Sequence, residues 1–280
     1  MKLKSKKIIP TPKKTYNLHI QDNHNYIANN VVVANCHQAK ADVLKTLLTG
    51  IMSRIPIRWG LTGTIPKDEF EKRSLQVGLG DVTNHLAASD LQEQGVLSNC
   101  HVNIMQFVDP AEFTNYQAEY KYLVSDQKRL AAIVKNMPTA KNKGNTLILV
   151  NYIATGEALS ELIPDSIFLN GSTKSETRQS HYKEVANVDN KTIIATYGIA
   201  AVGINVPRIF NLVLFEPGKS FVRVIQSIGR GLRMADDKDF VHITDISSTC
   251  KYSKRHLAAR KKFYRDANYP YTVQKITWKT

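Results

Sequence analysis

Apolar and polar positions alternate along this chain on two scales. From about residue 145 onward, short runs of β-branched and aliphatic residues are separated by longer amphipathic stretches. Residues 146–150, 167–169, 192–196, 211–215 and 240–243 are short and mostly apolar, the pattern of strands buried on both faces. Between them, residues 153–163, 172–187 and 221–234 predict helices, the first ended by Pro164. Strand and helix in regular alternation predict an α/β fold, a parallel sheet wound with helices. The first 35 residues have a different rhythm. Tyr16, Leu18 and Ile20 alternate with polar residues, Asp22-Asn23 fits a turn, and Tyr26-Ile27 and residues 31–33 predict further strands. This tail reads as a small all-β segment.

Composition narrows the class. At 280 residues and 42% hydrophobic content the chain can bury a real core. It contains no apolar run of membrane-spanning length and no charged-then-apolar leader, so it is expected to be neither membrane-spanning nor secreted. Cys36, Cys100 and Cys250 are odd in number and far apart, which argues against a disulfide framework or a metal site and suits a reducing cytoplasm. The net charge is +14. Residues 1–35 hold six lysines, all within residues 2–14, against Asp22 alone, and so carry +5 of it. The +9 left on residues 36–280 suits a polyanionic partner. The lysines of the tail would speed its encounter with an acidic partner polypeptide in a salt-dependent way.

One peptide bond, Asn35–Cys36, carries distinctive chemistry. An asparagine amide can attack its own backbone carbonyl and cut the chain behind itself, and a cysteine thiol can accept an acyl group. Residues 15–36 resemble the last two blocks of inteins, self-excising elements whose pattern is a strand, His-Asn-Phe/Tyr, an Asn-Gly turn, then Val-Val-His-Asn before a nucleophile. The resemblance implies that Asn35 cyclises, that Cys36 is the first residue of the downstream extein, and that His24 assists proton transfer near neutral pH. Asn17 stands where the family has an Asp and Ala34 where it has a His, which shifts weight onto His24. A whole intein is far longer than 35 residues, so the tail matches a C-terminal split-intein fragment, whether split naturally or by truncation.

The remaining motifs lie in residues 36–280. Residues 226–233, Gln-Ser-Ile-Gly-Arg-Gly-Leu-Arg, place Arg230 and Arg233 on one face of a helix start, and arginine is suited to stabilising a transferring phosphoryl group. Residues 196–207 follow a strand and carry the loop glycines Gly198 and Gly203 beside Asn205, while Thr62-Gly63-Thr64 forms a compact hydroxyl-rich loop. These three segments resemble motifs VI, V and III of superfamily 2 helicases, in order, and the pattern is most like the DExH DNA helicases of phages. Residues 168–172 with 176–178 resemble the stretch between motifs IV and V. An upstream extein ending in Asp-Glu would complete a DExH box with His37 as its last member.

That resemblance implies RecA-like domains, with residues 36–109 ending the first and residues 110–280 forming the second. It assigns Arg230 and Arg233 to catalysis, and His37, Thr62, Gly63, Thr64, Gly203, Asn205 and Gln226 to the ATP motifs. Thr196 is assigned to nucleic acid. Gly218-Lys219-Ser220 is not a phosphate loop, because Val213 stands where a glycine is required. The ATP-holding lysine and the Mg²⁺-holding acid are therefore expected from a partner polypeptide carrying the N-intein and the first helicase half. ATP and Mg²⁺ would be used only after ligation, and no metal site is expected in this chain. Lys251, Lys254, Arg255, Arg260, Lys261 and Lys262 fall in residues 251–265, which contain no acid and interleave Tyr252, Phe263 and Tyr264, a composition suited to a DNA or RNA–DNA backbone. Two alternatives stay open: a nucleic-acid-binding domain with an inert intein relic, and a DNA translocase that does not separate strands.

Overall fold

The chain divides at Thr83–Asn84 into two units in the computed structural model. It describes residues 25–28, 31–35, 42–55, 57–61, 65, 68–84, 88–137, 144–203, 208–220, 224, 227–229, 232 and 237–278. In the first unit, β1 (Asn25–Ala28) pairs antiparallel with β2 (Val31–Asn35), with Tyr26 opposite Val33. β2 in turn pairs parallel with β3 (Ile57–Leu61), from Val31↔Ile57 to Asn35↔Leu61. Helix α1 (Asp42–Thr49) and helix α2 (Glu69–Leu79) complete the unit. The Asp68 carboxylate accepts the Glu71 N–H at 3.0 Å and so caps α2. Leu48 and Leu75 form a small core with Met52, Ile55 and Leu79.

This pairing corrects one expectation. The strands of residues 25–35 are present, but they are not a separate all-β tail. An open strand edge recruits another strand, and the edge of β2 is taken by β3, from the part of the chain expected to lie beyond the junction.

The second unit is built from α3 (Ala88–Glu93), β4 (Asn99–Phe107), α4 (Tyr116–Ser125), α5 (Gln127–Asn136), β5 (Asn145–Val150), α6 (Ile153–Leu162), β6 (Ile167–Leu169) and α7 (Ser175–Ala186). These are followed by β7 (Thr192–Thr196), α8 (Tyr197–Gly203), β8 (Ile209–Phe215), β9 (Phe240–Ser248), α9 (Lys251–Asp266) and β10 (Tyr271–Ile276). The seven strands form one sheet in the order β10-β4-β9-β8-β5-β7-β6, with every neighbour parallel. Period-two alternation sends successive side chains to opposite faces, and both faces are covered. Leu147, Leu149, Leu212 and Leu214 meet Tyr182, Val185, Leu257 and Tyr264 from α7 and α9. Ile148, Val150, Val213 and Phe215 meet Leu123, Leu130, Ile133 and Leu159 from α4, α5 and α6. Asn115 and Asp126 cap α4 and α5, accepting the Ala118 and Arg129 N–H groups at 2.9 and 2.8 Å. Among the described residues no helix is long and apolar enough to cross a membrane.

The expected domain boundary near residue 109 moves. β4 lies inside the seven-stranded sheet, between β10 and β9, and its Val102, Ile104, Met105 and Phe107 are buried. The unit therefore begins near residue 84. Cys100 and Cys250 are buried free thiols, and burial pushes the Cys100 thiol up to about 11.

Gly144 leads into β5 at φ +87°, and a Cβ there would lie 2.0 Å from the Phe210 ring. Left-handed strain of about 1–2 kcal/mol would add to overpacking of about 1–3 kcal/mol. Gly144→Ala is expected to lower unfolding stability by about 2–5 kcal/mol in urea titrations, with m unchanged.

Candidate nucleotide and nucleic-acid interface

In a parallel sheet wound on both faces, chemistry gathers where the strands end at their carboxyl side. Thr196 is the last residue of β7, half-buried and directly opposite Val150 at the end of β5. The chain turns from Thr196 straight into α8, which Gly203 ends. Asn35 ends β2 in the first unit. His24, Cys36, His37, Thr62, Gly63, Thr64, Asn205, Gln226, Arg230 and Arg233 lie outside the described residues. The helical residues 227–229 fall within the helix expected over residues 221–234, with Ile228 fully buried against the core.

Beneath the strand ends lies a buried charged floor that sequence reasoning missed. Arg129 of α5 donates from Nε to Asp109 at 3.0 Å and from an Nη to Glu216 at 2.7 Å, with no exposed side-chain surface. Its other Nη donates to the Leu123 carbonyl at 2.5 Å. Asp109 also accepts from the Ser248 hydroxyl at 2.7 Å, the Trp278 indole N–H at 3.1 Å and the Tyr122 hydroxyl at 3.2 Å. Burial pushes the Glu216 carboxyl above its ordinary range, and Arg129 and Arg260 pull it back. Glu119 accepts the Tyr252 and Ser253 N–H groups at 3.0 and 2.7 Å, placing a carboxylate at the N-terminus of α9 where the helix dipole favours it.

One expectation for the basic helix is overturned. Arg260 is not available to a nucleic-acid backbone, being 1% exposed. Its Nε and an Nη donate to the two oxygens of Asp245, both at 2.8 Å, and its remaining Nη donates to the Gly218 carbonyl at 2.7 Å. Burial alone would lower the guanidinium pKa, but Asp245 more than offsets it and the net direction is upward. The signal was present in the spacing: Ser253, Leu257, Arg260 and Tyr264 form the buried stripe of α9. Lys251, Lys254, Arg255 and Lys262 are exposed and Lys261 is half-buried.

The two kinds of cation separate by experiment. Arg260→Ala leaves the buried Asp245 without its cation, the Tyr264 hydroxyl still donating to it at 2.7 Å, and should cost about 3–5 kcal/mol of unfolding free energy. Lys262→Gln should stay within about 0.5 kcal/mol of wild type and reduce the salt slope of DNA binding by about one. Urea unfolding beside DNA titration at several salt concentrations reads both.

Comparison with known proteins agrees with this architecture. The helicase conserved C-terminal domain family matches residues 128–235, a stretch running from α5 through β5, β7 and β8 to the expected arginine motif. The ATP-dependent DNA helicase UvsW of phage T4 is 25% identical over 240 residues, covering 81% of this chain and 47% of UvsW. The crystal structure of T4 UvsW superposes with a TM-score of 0.56 at 19% identity, over 88% of this chain and 54% of that one. Dbp5 of S. cerevisiae, bound to RNA and ADP BeF3, gives a TM-score of 0.54 at 14% identity, over 88% of this chain and 59% of that one. The chain thus spans about half the length of these relatives. Residues 128–235 thus match the helicase conserved C-terminal domain family, and most of the chain is similar to UvsW of phage T4.

Proposed function

We propose that this chain is the C-terminal precursor of a trans-spliced, ATP-dependent DNA helicase. One observation carries the reading: the helicase match and the Asn35-Cys36-His37 junction lie on a single chain, with the junction upstream of the helicase-like part. Residues 1–35 act as a C-terminal split-intein fragment, steered by their lysines to an N-intein polypeptide that brings the first helicase half. The acyl group of that half, first shifted from its peptide bond onto the side-chain nucleophile of the N-intein's first residue, passes to the Cys36 thiol as a thioester and releases that nucleophile. The Asn35 amide nitrogen then attacks the Asn35 carbonyl, closing a succinimide and releasing the Cys36 amine, with His24 moving the proton. The freed amine takes the acyl group from sulfur, leaving a peptide bond and regenerating the thiol.

In the joined enzyme, an Asp-Glu end on the partner would place His37 in the DExH box. The Gly218-Lys219-Ser220 segment is not a phosphate loop. It follows β8, and Val213 is 2% exposed within that strand instead of being a loop glycine. The partner's residues would hold ATP and Mg²⁺. Arg230 and Arg233 would stabilise charge on the γ-phosphoryl, Gln226, Gly203 and Asn205 would sense the nucleotide, and Thr62-Gly63-Thr64 would relay its state. Thr196 and the exposed cations of α9 would hold DNA, branched or recombination intermediates being the substrates in view, inside the cytoplasm of a bacterial host. Strand separation, as opposed to translocation alone, is favoured by the similarity to UvsW.

The test mixes the chain with the N-fragment and reads intact mass and DNA-stimulated ATPase. Wild type should yield ligated product and turnover appearing together. Asn35→Ala should give neither, and Cys36→Ala should leave some cleavage without ligation. Arg233→Ala should ligate normally, lose about 10³-fold or more in turnover and bind DNA unchanged. Normal ligation by Asn35→Ala refutes the splicing half. Surviving turnover in Arg233→Ala refutes the motor assignment.

A further inference from the structure

The Asn35–Cys36 bond falls inside one supersecondary unit. β2 and β3 pair in parallel, with Val31 opposite Ile57 and Asn35 opposite Leu61. Parallel neighbours need a crossover between them, usually a helix, and α1 lies in that connection. β2-α1-β3 is therefore a βαβ unit whose first strand ends on Asn35 itself. That first strand belongs to the tail, while the helix and the second strand belong to the residues after the junction. β1, which pairs with the other edge of β2, belongs to the tail as well.

Loss of residues 1–35 would take β1 and β2 away together. It would leave β3 alone, because among the described residues β3 has no other strand neighbour. A bare strand edge is a template for aggregation, and its backbone groups lose their partners. What replaces the tail is fixed by the chemistry of ligation. The new peptide bond to the Cys36 nitrogen puts the last residue of the N-extein in the chain position of Asn35, and the residues before it in those of Val31 to Ala34. The rest of the unit keeps its own anchor. Leu48 of α1 is fully buried and packs with Leu75 and Leu79 of α2, all of them after the junction. The helix that leads from a first strand to β3 therefore outlasts the tail.

We propose that β2 is a placeholder strand: it covers the edge of β3 in the precursor, and on ligation the last five residues of the N-extein take that edge in the same parallel register. This rests on the reading that the chain splices at Asn35–Cys36. The occupant is an extended apolar segment of the N-extein, matching in kind the Val31-Val32-Val33-Ala34 run that it displaces. Tail and extein compete for one edge, so the edge changes hands only once the Asn35–Cys36 bond is cut.

The experiment is amide hydrogen exchange read by mass spectrometry, on the full 280-residue chain and on its ligated product. It follows residues 57–61 of β3, with residues 69–79 of α2 as the check on folding. In wild type, residues 57–61 should be protected in both species. Val31→Gly, Val32→Gly and Val33→Gly together should speed their exchange in the precursor by about 10-fold or more. The ligated product made from that variant no longer holds those residues and should exchange like wild type. Glycines at the matching three positions of the N-extein should do the reverse, sparing the precursor and exposing β3 in the product. Where the triple variant also loosens residues 69–79, Val32→Gly alone replaces it and should speed exchange of residues 57–61 by about 2- to 5-fold. If wild type yields no ligated product, the splicing reading fails and this proposal with it. If product forms but residues 57–61 exchange freely in it, or if the N-extein glycines leave them protected, splicing stands and the placeholder is overturned. If the tail glycines leave the precursor unchanged, β2 does not cover the edge and the proposal is overturned as well.

Discussion

The second unit depends on a guanidinium held out of water. Arg129 is fully buried, and its two carboxylate partners come from distant points of the chain: Asp109 just beyond β4, and Glu216 directly after β8. Charges so placed are tolerated only when every donor and acceptor finds a partner. Asp109 and Arg129 meet that demand with Ser248, Tyr122, Trp278 and the Leu123 carbonyl. The network therefore ties the carboxyl ends of three strands, β4, β8 and β9, to the helices that cover one face. Glu216 itself sits at φ +42°, a conformation that costs about 1–2 kcal/mol for a residue with a Cβ. Its carbonyl is held there by Tyr120 and Asn151, which donate to it at 3.3 and 3.2 Å.

That constraint reaches the surface by a short route. Glu216 opens the loop that carries Gly218, Lys219 and Ser220, and Arg260 holds the same loop from the side of α9 while bound to Asp245 of β9. Two buried arginines thus fix one loop at the switch point of the sheet.

Much of this architecture is legible in the amino-acid order, and the failures have physical causes. β5, β7 and β8 are apolar runs buried on both faces, and their sequences announce it. β4 and the second half of β9 do not, because Asn99, His101, Asn103 and Gln106 interrupt the first and Asp245, Ser247 and Ser248 the second. These polar residues serve as strand positions because neighbours satisfy them: Gln106 donates to the Ser248 carbonyl at 3.1 Å, and Asp245 takes Arg260. Arg260 looked like its exposed neighbours in composition, and only its helical register with Leu257 and Tyr264 sets it apart. Arg129 gave no warning, since nothing local in α5 foretells acids 20 residues before it and 87 after it. In the first unit, Val31–Asn35 was readable as a strand, but its parallel partner β3 was not, because pairing between residues 26 apart leaves no local pattern.

The direct test of the buried-network account is a double-mutant cycle on Arg129 and Glu216, read by urea unfolding. Arg129→Met should cost about 3–5 kcal/mol, because it leaves Asp109 and Glu216 buried without their cation, and Glu216→Gln should cost less, because Arg129 keeps Asp109. The double variant should cost less than the sum of the two by well over about 0.5 kcal/mol, the margin within which independent sites add. Additive losses within that margin would contradict the account, for they would mean that the two groups act separately and that the loop above them is held by something else.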